Sequence, residues 1–168
     1  NYTANGSSTT DEYGTFKDLH DLLIGDVIKG FAVVPNGTAN MTILVQPGSA
    51  RITTGTAPSD YGYFVFHDTS AGESVTIATA ATSPRIDYIV AYVDKSVAGS
   101  TSPTYVNNTN NVLKFAAVAG TPAGSPSVPT TSQINTAIGA SNPYIVLAQV
   151  AVAASTTQIT APNITDKR

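Results

Sequence analysis

Few side chains in this sequence are equipped for chemistry. The bases of the usual catalytic kind are His20 and His67. A serine nucleophile would need one of them together with an orienting acid, and no G-x-S-x-G elbow occurs. His20 has Asp18 and Asp21 beside it but no second histidine one helical turn away, which a helix-borne zinc site requires. It reads as a helix-surface or interface residue. His67 stands where an apolar run enters the loop TSAGES and reads as a strand-end histidine hydrogen-bonded to its turn. Asp60, Asp68 and Glu73 are near one another in the chain. Glycoside hydrolysis needs two carboxylates facing each other about 5 to 9.5 Å apart, and nothing in this spacing makes them converge. The stretch DTSAGE also lacks the further acids of a calcium loop. With no cysteine, thiolate metal sites and cysteine nucleophiles are excluded. No P-loop and no G-x-G-x-x-G is present. The reading is a non-enzyme without cofactor or metal.

Two groups remain that can recognise rather than react. Tyr61 and Tyr63, in DYGYFVFHD, are the candidate ligand surface, since sugar rings stack on exposed aromatics. Core or interface packing is the favoured alternative for them. Phe64 and Phe66 share one strand face there, and Tyr63, Val65 and His67 share the other. In SPRIDYIVAYVD (83–94), Arg85 and Asp87 lie on one side of a strand, at an entry that solvent or a loop can reach. They read as a structural charge pair fixing the strand's entry and register, with Asp166 and Arg168 as neighbours.

The whole chain supports a binding or structural role. Only 11% of its 168 residues are charged, and the net charge is -3. Its polar surface must therefore come from Thr, Ser, Asn and Gln, as suits a subunit packed against others. No run of Lys or Arg exists to neutralise phosphates, so neither nucleic acid nor membrane is expected as a partner. No apolar run reaches the roughly 18 to 20 residues needed to span a bilayer. Asn-x-Ser/Thr triplets, such as those at Asn5, Asn36 and Asn163, are expected by chance in so Asn- and Thr-rich a chain.

The elements that must position these residues are mostly strands. Residues 1–14 are expected to be a polar, flexible arm, and residues 15–168 one β-rich structural domain with an N-terminal helix. TFKDLHDLLIG (15–25) predicts a short helix, with Thr15 and Asp18 as a capping box and Gly25 as its stop. Its Phe16, Leu19 and Leu23 face, together with Tyr2 on the arm, is the expected contact with other copies or partner proteins. From Lys29 onward the pattern becomes β. Strands are expected at Phe31–Val34, Met41–Val45, Ala50–Thr53, Tyr63–His67, Ser74–Ala80, Arg85–Asp94, Val112–Ala119 and Ile145–Ala153, with a last short one at Gln158–Thr160. Residues 120–133, rich in Pro, are expected to cross the outside in extended form. The fold class is mainly β, an antiparallel β-sandwich or barrel-like domain with one short N-terminal helix.

The order of these pieces carries a resemblance. TFKDLHDLLIG leads into DVIKGFAVVPNGTANMTILVQPGSARITTG, then YGYFVFHD, SVTIATA and SPRIDYIVAYVD, and the chain closes with LKFAAVAGTPAGSPSVP and YIVLAQVAVAASTTQITAPNITDKR. From residue 15 to residue 168 this succession resembles a module of phage virion proteins, chiefly of tail tips and baseplates, where it often precedes a receptor-binding region. The resemblance implies a structural role in the phage particle and homo-oligomeric assembly, commonly threefold. The expected partners are copies of the chain, other virion proteins and, as a lesser reading, host-surface saccharide. No receptor-binding region is expected after Arg168, and the polar arm is expected to dock on a neighbouring virion protein. A capsid decoration protein or the base of a head fibre is the alternative placement.

Overall fold

The computed structural model describes residues 27–53, 62–97 and 112–168. The expected N-terminal helix, with Phe16, Leu19, His20 and Leu23, lies outside these residues. So do the arm with Tyr2, and Asp60 and Tyr61. The described residues form ten strands: β1 (Val27–Gly30), β2 (Val33–Pro35), β3 (Thr42–Val45), β4 (Gly48–Ile52), β5 (Tyr63–His67), β6 (Glu73–Thr76), β7 (Arg85–Val93), β8 (Leu113–Val118), β9 (Tyr144–Val152) and β10 (Ile164–Asp166). One α-helix, α1 (Thr131–Ile138), and a 3-10 turn at Ala161–Asn163 join them. The strands build three antiparallel sheets ordered β1-β4-β5, β2-β3-β6 and β10-β9-β7-β8. Among the described residues the arrangement is mainly β and sandwich-like, and no sheet closes into a barrel.

Alternation explains most of it. Ile43 and Val45 on β3, Ala50 and Ile52 on β4, and Ile89, Ala91 and Val93 on β7 point into one core that all three sheets fill. At its centre the ring of Phe31 meets that of Phe115 edge-on, with centroids 5.6 Å apart. Phe31 reaches this position through an unusual backbone. It follows Gly30 (φ +74°) and itself has φ +57°, and its N–H donates to the Pro47 carbonyl at 3.1 Å. A Cβ on Gly30 would lie 2.1 Å from that carbonyl oxygen, so only glycine fits there. This kink separates β1 from β2 and sends them into different sheets.

The structure departs from the sequence reading in several places, and one is β6, which ends at Thr76 where a strand as far as Ala80 was expected. A strand runs over Val27–Gly30, between the expected helix and the first expected strand at Phe31–Val34. The Pro-rich segment does stay outside, but its end forms α1, capped by Thr130: the Gln133 N–H donates to Thr130 Oγ1, and the Thr130 N–H donates to Gln133 Oε1 at 2.9 Å. Residues 158–160 are not a strand. Ile159 is fully buried, with its N–H on the Asn40 carbonyl, and the last strand lies instead in NITDKR, paired with β9. Finally, β9 does not alternate throughout. Its register against β7 slips between Ile89 and Val90, so Leu147 and Ala148, adjacent in sequence, both enter the main core.

The helix gives the four-stranded sheet a second covered face. Ile134 and Ile138 pack on Val90 and Val118, with Tyr88, Tyr92 and Tyr144 around them. Strand β7 is thus covered on both sides, which is why its nine residues read as a nearly continuous apolar run. Among the described residues no helix is long and apolar enough to cross a membrane.

Candidate functional site

Arg85 and Asp87 open β7 on its core face, and the structure brings them together. The Arg85 Nε donates to both oxygens of Asp87, at 2.9 and 3.1 Å. The other two guanidinium nitrogens donate to the carbonyls of Thr79, at 2.8 Å, and Ala78, at 2.5 Å. Asp87 Oδ1 also accepts from the Gly120 N–H at 3.1 Å. The pair therefore ties the entry of β7 to the segment that leaves β6 and to the chain just past β8. A Cβ on Gly120 would sit 2.2 Å from the Ile86 carbonyl oxygen, so the N–H reaches Asp87 only because residue 120 is glycine. Solvent does not reach this entry: Arg85 is 4% exposed and Asp87 0%. A charge pair so buried persists only with its remaining donors and acceptors satisfied, as the three backbone partners do here. Its chemistry is that of a fastener, with no open face toward a substrate.

Asp166 and Arg168 do not join that cluster. They pair with each other, Nη2 to Oδ2 at 2.6 Å and Nε to Oδ1 at 2.9 Å. Hydrogen bonds from the Arg168 side chain and backbone hold the Asp166 carboxyl down to about 2. The Arg168 guanidinium also donates to the Gly30 carbonyl, linking the end of β10 to the end of β1 in a different sheet.

His67 is buried at 5% exposure, and its Nε2 meets no hydrogen-bond partner. The ring packs edge-on against Phe115 with centroids 5.4 Å apart. Burial pushes its pKa below the ordinary histidine value, against the opposing pull of Glu73 and Asp68. The expectation of a turn-bonded strand-end histidine thus gives way to a neutral core histidine, because β5 aims residue 67 inward with Val65. Asp68 is exposed and Glu73 half-buried. Among the described residues no three His, Asp or Glu side chains gather to hold a metal ion.

The aromatic cluster splits by alternation, in a direction the sequence left open. Val65 and His67 face the core, Tyr63 is 40% exposed at the strand's start, and Phe64 and Phe66 are 59% and 74% exposed on the outer face. Ile28 on β1, in the same sheet, and Val112 beside β8 are also exposed. The outward phenylalanines are the functional candidates that sequence reasoning passed over in favour of the tyrosines. The sequence carries half of the signal, since YFVFH places both rings on one face, and leaves open which face is the core. Two hollows lie on the surface of the described residues. One, of about 170 Å³, lies between Pro35, Ile164 and the Asp166–Arg168 pair. The other, of about 230 Å³, is lined by neutral groups including Thr53, Asn135 and Ser141.

Comparison with known proteins finds no matching family model, no similar curated protein and no similar solved structure.

Proposed function

We propose that this chain is a structural component of a phage particle, of the tail-tip or baseplate type, that works by assembling with copies of itself and with other virion proteins. The carrying observation is a surface poor in charge that exposes large apolar side chains: Ile28, Tyr63, Phe64, Phe66 and Val112. Single exposed apolar residues are ordinary, but two phenylalanines on one face of β5, with Ile28 exposed in the same sheet, are more than a weakly charged chain needs for itself and favour contact with other chains. The order of motifs from residue 15 to residue 168 adds the phage setting and the threefold expectation. The ionic groups fit the same reading, since Arg85, Asp87, Asp166 and Arg168 are engaged in holding strands in place.

Two measurements test this. Native mass spectrometry and light scattering at tens of micromolar are expected to give a discrete homo-oligomer, and a monomer would remove the assembly reading. Peptide mass spectrometry of purified virions is expected to find the chain in repeated copies per particle. Its absence from particles would remove the virion reading.

A further inference from the structure

His67 is an anomaly in an otherwise apolar part of the core. Its ring is buried and its Nε2 has no hydrogen-bond partner, whereas buried polar atoms are almost always paired. Of the five residues of β5 only Val65 and His67 are buried, so this ring is one of two side chains that anchor the strand inward. It also begins a chain of rings through the centre of the molecule. His67 meets Phe115 of β8 edge-on at 5.4 Å, and Phe115 meets Phe31, at the kink between β1 and β2, at 5.6 Å. The β1-β4-β5 sheet thus touches the four-stranded sheet through an imidazole.

We infer that His67 is an acid latch: neutral, it holds β5 in the core, and on taking a proton it lets β5 go ahead of the rest of the fold. A neutral imidazole packs there as a ring, but a charged one is a buried cation with an unpaired N–H, which the core does not tolerate. The charged groups around it do not remove that penalty. Asp68 follows it in the chain and is exposed, Glu73 on β6 is half-buried, and neither bonds Nε2. Both favour the charged ring, yet burial outweighs them and holds its pKa below the ordinary value. From the other elements, β4 opposes it with Gly48 and β8 with Phe115, neither charged. Lys114 points to the far side of β8 and pairs with Asp94, while Lys29 and Arg51 lie on the other face of its own sheet, in register with Ser49 and Phe64. Release is local because the anchoring is uneven. The ladder of β7 with β9 is long and covered on both sides, whereas β5 has two anchors, one of which titrates. In the released strand the histidine is ordinary, near 6.5, so the released state binds the extra proton. Release therefore grows as pH falls below that value, by at most about thirtyfold between pH 7.5 and pH 5.

The test is hydrogen exchange read by mass spectrometry on the full chain at pH 7.5 and pH 5, corrected for intrinsic rates. Amides of β5 are expected to lose roughly three- to thirtyfold of their protection at pH 5, while those of β7 and β9 keep theirs. His67→Phe keeps a ring against Phe115 and cannot take a proton, and it is expected to remove the difference. Imidazole NMR of the parent needs no variant: the His67 ring is expected to stay mostly neutral at pH 6.5 and to charge as β5 opens. Protection of β5 that ignores pH, or a loss shared equally with β7 and β9, overturns the latch. So does a His67→Phe chain that still opens in acid, or a His67 ring already mostly charged at pH 6.5. These outcomes are separate from the assembly reading, which rests on the outer surface.

Discussion

At the residue scale, Arg85 and His67 are two polar side chains placed in apolar surroundings with opposite solutions. Arg85 is charged and every branch of its guanidinium has an acceptor, so its removal strands Asp87 with the Gly120 N–H alone. Arg85→Ala is expected to cost about 3 to 5 kcal/mol in urea unfolding. Arg85→Lys should recover little, because an ammonium cannot fork to a carboxylate and two carbonyls at once. Replacing both partners, as Arg85→Met with Asp87→Leu, should cost less than Arg85→Ala alone, since no buried charge is left behind. His67 solves the problem by staying neutral. Its folded pKa lies below the unfolded value of about 6.5, so between the two the unfolded chain binds the extra proton. Its stabilising contribution is complete above that unfolded value and is lost as pH falls from there through the folded pKa. Unfolding curves from pH 7.5 to pH 5 should show this loss, and His67→Phe should flatten it while Glu73→Gln, which removes an opposing charge, should steepen it.

At the element scale, the sequence was legible where side chains alternate simply. β3, β5 and β7 fall within a residue of their expected bounds, because each has a strict inward set such as Ile43 and Val45. The misses share a cause, which is that a local pattern was outweighed by a partner elsewhere in the chain. Strand β10 looks like a polar tail until β9 offers it a ladder from Ile164↔Val150 to Asp166↔Ala148. Adjacent Leu147 and Ala148 enter one core only because β7 forces a bulge. Helix α1 was hidden by the prolines before it, although Thr130 and Gln133 at capping-box spacing were readable. YFVFH shows that Phe64 and Phe66 share a face, but not that this face is the outer one, since alternation sorts residues into two faces without saying which one is core. Thr130→Ala is expected to cost about 1 kcal/mol through the lost cap. Ile134→Ala should cost about 2 to 5 kcal/mol, because that side chain closes the second core over Val90 and Val118. Thermal melts of the two variants, read against each other, separate helix formation from its docking.

At the scale of the whole molecule, three sheets share a core but are tied to one another by few polar links. Arg85 donates to the Ala78 and Thr79 carbonyls beyond β6, Ser155 N–H to that of Ala81 and Ile159 N–H to that of Asn40, and Arg168 reaches Gly30. Most of the cohesion is therefore burial, which has no preferred direction and extends across a contact as readily as within a chain. An assembly built this way couples its own stability to concentration, because only the folded chain presents the apolar face. If the assembly is a dimer, each tenfold rise in concentration adds about 1.4 kcal/mol per dimer, spread over the unfolding entropy of two chains. That corresponds to a melting temperature roughly 2 °C higher per tenfold step. Scanning calorimetry from 1 to 100 μM is expected to show this rise in the parent. Phe66→Ser is expected to melt at one temperature throughout, since its ring is exposed in the single chain and contributes little there. A parent whose melting temperature ignores concentration would place its stability wholly inside one chain, and would leave the outward rings of β5 without a role in assembly.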